Sequence, residues 1–204
     1  MDPTIIKILQ EASNNPAYQS IANYLMSRRA MPDFNLGYMP GTYGKFISPG
    51  LFSSSQIPER GIISFNESSK TWNPSSMAST ATHEMTHAAE KQLIKQYYEI
   101  NKKQSKTELE KQFLDNFQKI IGSSEPQISN WIKKVSPDFA KKESDYRSTS
   151  KEGLSFGVEN SAYPDSESNR NAPPHVDPTI ATVFNLLLEQ AQRVQDEQKQ
   201  SQGR

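Results

Sequence analysis

The chain has 204 residues, with 23 lysines and arginines against 23 aspartates and glutamates, three histidines and no cysteine. This length fits one domain and is sufficient to bury a core. With zero net charge, the chain lacks the excess of positive charge expected of a protein that binds nucleic acid or an anionic membrane surface. The lack of cysteine excludes disulfides, cysteine-ligated zinc, iron–sulfur clusters and thiol catalysis.

Hydrophobic residues make up only 34% of the chain, and its mean hydropathy is −0.77. Much of the chain is therefore expected to be solvated surface, loop or tail, with a local core. No apolar run approaches the roughly 18 residues of a transmembrane helix. Residues 1–4 lack the basic-then-apolar layout with which a signal peptide begins. The sequence therefore predicts neither a membrane span nor a signal peptide.

The first third of the chain predicts two helices and a small sheet. Apolar residues recur at helical spacing over 3–30 and are interrupted at Pro16, which predicts two short helices that meet there. A strand-like piece runs over 43–48. The strongest strand pattern is 60–66, which is short, rich in β-branched and aromatic residues and preceded by Pro58.

The rest of the chain predicts helices, so the fold class is α+β, mostly helical, in one domain over 1–194. A stretch without proline or glycine follows Pro74 and predicts a long helix to about Gln104. The polar, glutamine-rich tail over 195–204 is predicted to be disordered. Further helices are predicted over 107–121, over 126–143, from 148 or 149 to just before 164, and over 179–193.

The long predicted helix contains an HExxH motif, His83-Glu84-Met85-Thr86-His87. Positions i and i+4 of an α-helix lie on one face, so both imidazoles can bind one tetrahedral Zn²⁺ ion. Glu84 can then act as general base toward a water whose pKa the zinc lowers toward about 7. This is the chemistry of a zinc peptidase. The alternative is a surface helix on which the three side chains are solvated neighbours.

Zinc needs a third protein ligand. The metzincin extension HExxHxxGxxH would require glycine and histidine where this chain has Glu90 and Leu93. A cysteine ligand, as in peptide deformylase, is impossible because the chain has none. The remaining sources are His175, which is the third histidine, and a carboxylate on a later helix.

The segment from Tyr146 to Glu159, taken with the HExxH helix, resembles the catalytic end of gluzincin peptidases, above all those of the anthrax lethal-factor type. In that family a tyrosine precedes the ligand glutamate by one to two helical turns, and an Asn-Ala-Pro stretch leads to a closing helix. Tyr146 matches the tyrosine, Glu152 the ligand, and 171–173 the Asn-Ala-Pro stretch. The resemblance covers residues 60–190 approximately, with firm residue matches at the HExxH motif.

This resemblance implies a zincin-like fold with the small mixed sheet beside the active-site helix. It also implies a site in which His83, His87 and Glu152 bind zinc and Glu84 is the catalytic base. Tyr146 would donate a hydrogen bond to the oxyanion of the tetrahedral intermediate, a charge present only near the transition state. Without that role, Tyr146 would be a tyrosine of the core or rim.

The chain departs from the family pattern near the third ligand. The family has a second carboxylate four residues after the ligand, where this chain has Phe156, so the partner of a zinc histidine must come from elsewhere. Glu159 follows Glu152 by about 10 Å of helix and cannot easily share its ion. Glu152, Glu159 and His175 therefore stay open as third ligand, and Glu152 has the spacing nearest to the family. Otherwise Glu152 would form a capping box with Thr149, and Glu159 would be a solvated carboxylate.

In zincins an edge strand above the active-site helix pairs with the extended backbone of the substrate. The strand that holds Ile62 to Phe65 is predicted to take this place. The alternative is an ordinary core strand.

The leading prediction is thus a zinc endopeptidase that acts as a monomer on a protein or peptide substrate, without nucleic-acid or membrane partners. Richness in Lys, Asn, Ser and Gln resembles a bacterial effector, exported from the bacterial cytosol through a signal in the tail to cleave a host protein. Two alternatives stay open: a non-catalytic helical interaction protein with a degenerate motif, and a zinc hydrolase of a small amide or ester.

Overall fold

The computed structural model describes residues 1–39, 41–48, 57–67, 74–121, 153–164 and 179–202, and it confirms a mostly helical α+β fold with a small mixed sheet. The helices predicted over 126–143 lie outside the described residues. The described elements are α1 (Pro3–Ala12), α2 (Pro16–Ser27), β1 (Asp33–Gly37), β2 (Gly44–Ile47), β3 (Ile62–Asn66), α3 (Pro74–Asn101), α4 (Glu108–Ile120), α5 (Gly153–Ala162) and α6 (Thr179–Gln202).

The two N-terminal helices begin as predicted, each with a proline behind a capping side chain. Asp2 Oδ1 accepts a hydrogen bond from Thr4 N at 2.7 Å, and Asn15 Oδ1 accepts one from Ala17 N at 2.9 Å. These bonds satisfy amides that the first turn leaves unpaired. Asn15 Nδ2 also donates to the carbonyl of Ala162 at 2.8 Å, which ties the start of α2 to the end of α5.

α3 is the central element, and its prediction as one long helix is confirmed. Its 28 residues begin with Pro74, which suits the first turn of a helix because its missing N–H is not needed there. α1, α2, α4, α5 and β2 all pack against it. Small buried residues let these neighbours approach closely: Ala78, Ala81, Ala88 and Ala89.

The sheet has the order β1–β3–β2, with β1 parallel and β2 antiparallel to β3. β2 and β3 confirm two predicted strands, whereas β1 was not predicted. Ile63 and Phe65 of β3 are fully buried. Because β3 is paired on both sides, the prediction that Ile62 to Phe65 form an edge strand is wrong. Among the described strands, β2 is the edge strand beside α3.

The predicted disorder of the tail is wrong for residues 195–202, which form about the last two turns of α6. Glu197 accepts a hydrogen bond from Thr107 Oγ1 at 2.7 Å, and Gln198 donates to Glu110 Oε1 at 2.8 Å. Glutamine, glutamate and lysine are good helix formers. Contacts with the start of α4 therefore hold residues 195–202 in a helix, although their polarity had led us to predict a disordered tail.

One hydrophobic core joins the helices to β3. Its largest fully buried side chains are Tyr24, Phe65, Phe113, Phe117 and Phe184. No helix in the described part of the chain is both long enough and apolar enough to cross a membrane.

Candidate metal centre and active site

The two histidines of the HExxH motif lie one turn apart on α3, as predicted. Their Nε2 atoms are 3.2 Å apart, and their rings are nearly perpendicular, at 77°. His83 is buried and His87 is partly exposed. Two imidazole nitrogens at this distance need a proton or a cation between them, because facing lone pairs repel each other.

The separation of the Nε2 atoms fits a shared zinc ion. Two zinc–nitrogen bonds of about 2.0–2.1 Å at a tetrahedral angle place the two nitrogens about 3.3 Å apart. The observed 3.2 Å is close to this value. Among the described residues no three His, Asp or Glu side chains form a group that could hold a metal ion. The two histidines are thus an incomplete ligand set within those ranges.

Side chains of α5 contact both histidines at their Nδ1 atoms, on the side of each ring away from the Nε2 pair. Glu159 Oε2 lies 3.1 Å from His83 Nδ1, and Ser155 Oγ lies 3.1 Å from His87 Nδ1. Ser155 and Glu159 are four residues apart, as the histidines are, and the contacts run in opposite chain directions. One turn of α5 therefore matches one turn of α3, with one orienting side chain for each imidazole.

The Glu159 contact determines which ring nitrogen of His83 carries the proton. A carboxylate can only accept a hydrogen bond, so Nδ1 of His83 must donate to it. In a neutral imidazole this leaves the lone pair on Nε2, which is the form that binds a metal. Ser79 Oγ donates to the other oxygen, Oε1, at 2.8 Å and holds the carboxylate in place.

Glu159 is therefore not positioned as the third zinc ligand, which was one of the open alternatives, because it contacts the Nδ1 side of His83. Nor is Glu159 a solvated carboxylate, which was the alternative to a ligand, since it is 2% exposed. It supplies the carboxylate partner that the family pattern led us to expect at the position of Phe156. The Phe156 ring instead packs edge-on against His83, with centroids 4.4 Å apart.

Glu84, the predicted base, is buried between α3 and the sheet. Only 7% of its surface is exposed. Its Oε2 accepts a hydrogen bond from the backbone N–H of Phe46 in β2 at 2.6 Å. The main chain of β2 is thus a direct partner of this carboxylate.

The far end of α5 is held by a hydroxyl pair. Tyr163 Oη and Thr82 Oγ1 share a hydrogen bond of 3.1 Å. Burial raises the pKa of the Tyr163 phenol; the bond with Thr82 opposes this, and the carboxylates of Glu11 and Glu159 raise the pKa further. The phenol is neutral at pH 7 and anchors α5 one turn beyond Glu159.

The other predicted site residues, Tyr146, Glu152 and His175, lie outside the described residues. The structure brings together His83, Glu84 and His87, and it adds two residues that the sequence analysis did not assign. Ser155 was not singled out, and Glu159 was considered as a zinc ligand or a solvated carboxylate but not as the partner of a zinc histidine. The available signal was their spacing of four residues in a predicted helix, equal to that of the histidines.

Comparisons of this chain with known protein families, with characterised proteins and with solved structures found no match. What the site can do therefore has to follow from its own geometry.

Proposed function

We propose that the protein is a zinc-dependent endopeptidase. One observation carries the proposal: the Nε2 atoms of His83 and His87 converge to 3.2 Å while Glu159 and Ser155 contact their Nδ1 atoms. A surface helix with solvated histidines would show neither the convergence nor the partners behind the rings. The buried carboxylate of Glu84 next to this pair favours catalysis over a purely structural metal site.

Each residue of the site has a separate proposed role. Zinc would supply Lewis acidity, which polarises a substrate carbonyl and makes water acidic near neutral pH. His83 and His87 would bind it through Nε2, and Glu152, one residue before α5 in the sequence, is the proposed third ligand. Glu84 would take the proton of the attacking water and pass it to the leaving amine. Tyr146 is proposed to donate to the developing oxyanion.

The position of β2 supports a peptide as the substrate. This strand lies at the edge of the sheet and contacts α3 beside Glu84. An extended chain can add to such an edge through main-chain hydrogen bonds. The Phe46 N–H would take no part in this pairing, because it binds Glu84. A small amide or ester would have no use for this edge. We therefore transfer to β2 the substrate-pairing role that we had predicted for β3.

The experiment combines metal analysis with a cleavage assay. The purified protein should contain about one zinc per chain and cleave an unfolded protein or a peptide library, with products identified by mass spectrometry. Glu84→Gln should retain zinc and lose at least about 10³-fold in kcat/KM, because it removes the base. Glu99→Gln, on the same helix with its side chain 54% exposed, is the matched control and should keep full activity.

Protein that neither contains nor binds zinc would contradict the proposal. So would equal cleavage by wild type and Glu84→Gln. A chain that binds zinc and cleaves nothing would instead favour the non-catalytic interaction protein.

A further inference from the structure

The main chain of the edge strand contacts the buried carboxylate of the site directly. Hydrogen bonds from an N–H to a carboxylate are shorter and stronger than neutral ones, and the Phe46 N to Glu84 Oε2 distance of 2.6 Å belongs to this class. A carboxylate as buried as Glu84 is costly unless it has such partners. The contact therefore links β2 to the helix that carries the HExxH motif.

The register of the sheet makes the Phe46 amide available for this bond. Asn66 N donates to Tyr43 O at 2.9 Å, which marks these two residues as a hydrogen-bonded pair of the antiparallel ladder. Such pairs alternate along the strands, so Lys45 is the next residue whose main chain faces β3. The N–H of Phe46, between these positions, points away from β3 and toward the outer edge.

Two glycines determine where this strand lies. A Cβ on Gly44 would lie 2.6 Å from Thr80 Cγ2 and 3.5 Å from Glu84 Cγ, so only glycine lets β2 approach α3 this closely. Gly61, at φ +83°, lies under the Phe46 ring, where a Cβ would be 2.7 Å from Phe46 Cζ. The strand is thus fixed against the helix on one side and against the start of β3 on the other.

From these contacts we propose that the backbone N–H of Phe46 is a positioning group for Glu84. With Oε2 held, rotation about the last side-chain bond of Glu84 is restricted, and the direction of Oε1 is set before a substrate arrives. This preorganisation lowers the entropy cost of a proton transfer. That a proton is transferred to Glu84 rests on the proposed function; that its carboxylate is held rests on the contact alone.

The first test needs no enzymatic activity. An outward-facing amide of an edge strand exchanges quickly with solvent unless a side chain protects it. In amide exchange measured by NMR, Glu84→Ala should accelerate exchange at Phe46 by at least about tenfold, because one charge-assisted bond is lost. The amide of Lys45, which faces β3, is the internal control and should change by less than about twofold. Equal changes at both amides, or none at Phe46, would overturn the proposal.

The second test separates the N–H from the side chain. Proline in an edge strand leaves the ladder intact where its nitrogen points away from the neighbouring strand. Phe46→Pro therefore removes the donor and puts a ring carbon in place of its hydrogen, so the Glu84 carboxylate can no longer take its bound position. Phe46→Ala loses the same ring and keeps the donor. In the zinc-loaded forms, kcat of the proline variant should be at least about tenfold below that of the alanine variant, with KM within about twofold.

Equal kcat values for the two variants would overturn the positioning role. Wild-type protein without peptidase activity would defeat the proposed function, and amide exchange would still decide whether Phe46 holds the carboxylate. If Phe46→Pro does not fold, the comparison of wild type with Glu84→Ala by amide exchange decides whether Phe46 holds the Glu84 carboxylate, which the positioning role requires.

Discussion

α3 carries two buried polar clusters, one around His83 and one around Gln96, about 20 Å further along the helix axis. The Gln96 side chain accepts hydrogen bonds from Tyr24 Oη and from an Arg28 guanidinium nitrogen, both at 3.1 Å. Its Nε2 donates to the carbonyl of Ala191 at 2.8 Å. These bonds join α2, α3 and α6 at one point.

The two clusters differ in whether their polar groups are arranged to bind a ligand. At Gln96 donors meet acceptors, and the oxygen and the nitrogen of its amide each bind partners within the protein. At the candidate metal centre the two Nε2 atoms face each other across 3.2 Å, with an orienting group behind each ring. Burial of polar groups alone therefore does not define a site; the convergence of like groups does. Stability and metal binding should accordingly respond to different substitutions.

The largest effect on stability is expected from Gln96→Ala. It removes three hydrogen bonds worth about 1 kcal/mol each and leaves the buried Tyr24 hydroxyl unpaired, so we expect a loss of about 3 kcal/mol. Burial raises the pKa of Tyr24, so its phenol stays neutral and its hydroxyl still needs a hydrogen-bond acceptor. Urea unfolding measures the loss. Gln92→Ala, half-buried on the same helix, should change stability by less than about 0.5 kcal/mol.

Zinc affinity, measured by competition with a chelator, should be unchanged in folded Gln96→Ala. A fall in affinity that parallels the fall in stability would contradict the separation of the two clusters.

The next largest effect is expected from Glu159→Gln, and it should appear in zinc affinity. The amide nitrogen can no longer accept from His83 Nδ1, and an amide rotated to present its oxygen gives up the bond from Ser79. Outer partners of a zinc histidine contribute about 10–100-fold in affinity. Chelator competition on the folded variant gives the value.

Ser155→Ala is the matched substitution behind the other imidazole. A neutral hydroxyl orients His87 less strongly than a carboxylate orients His83, so its loss should cost less affinity than Glu159→Gln does. A larger loss for Ser155→Ala would reverse our ranking of the two orienting groups.

The local part of the fold was predictable, and the non-local part was not. Periodicity and the lack of proline after Pro74 are sufficient to predict α3, because helix formation depends on near neighbours. β1 escaped prediction because its five residues contain no β-branched side chain, and it gains its place from parallel pairing with β3. Strand order is equally non-local, which is why the edge was assigned to β3 instead of β2.

The same division applies to the site. HExxH is visible because one helix contains all three residues at a spacing that the helix repeat explains. The role of Glu159 depends on how α5 is rotated about its axis against α3, and spacing along the chain does not fix this rotation. Likewise, the Phe46 amide reaches Glu84 only because β2 pairs with β3 in one register.

A third buried polar group, Glu110, sharpens the contrast, because it is charged and yet structural. Its carboxylate accepts hydrogen bonds from Lys103, from Gln198 and from the Thr107 amide. Burial alone would raise the pKa of Glu110, but the bonds from Lys103, Gln198 and Thr107 outweigh it, so the pKa lies below its ordinary value. Like Gln96, this group is closed by protein partners.

A carboxyl whose pKa is lower in the folded than in the unfolded chain stabilises the fold fully above the unfolded pKa of about 4.3. That contribution is lost as the pH falls through the folded pKa. The difference in unfolding free energy between wild type and Glu110→Gln should therefore shrink as the pH falls from about 6 through the unfolded pKa and below it. Glu108→Gln, with its side chain 75% exposed, is the control and should show little pH dependence. We expect this effect to be the smallest of those above, because water still reaches the Lys103 end of the pair. A difference that stays constant with pH would show that the charge of Glu110 does not stabilise the fold.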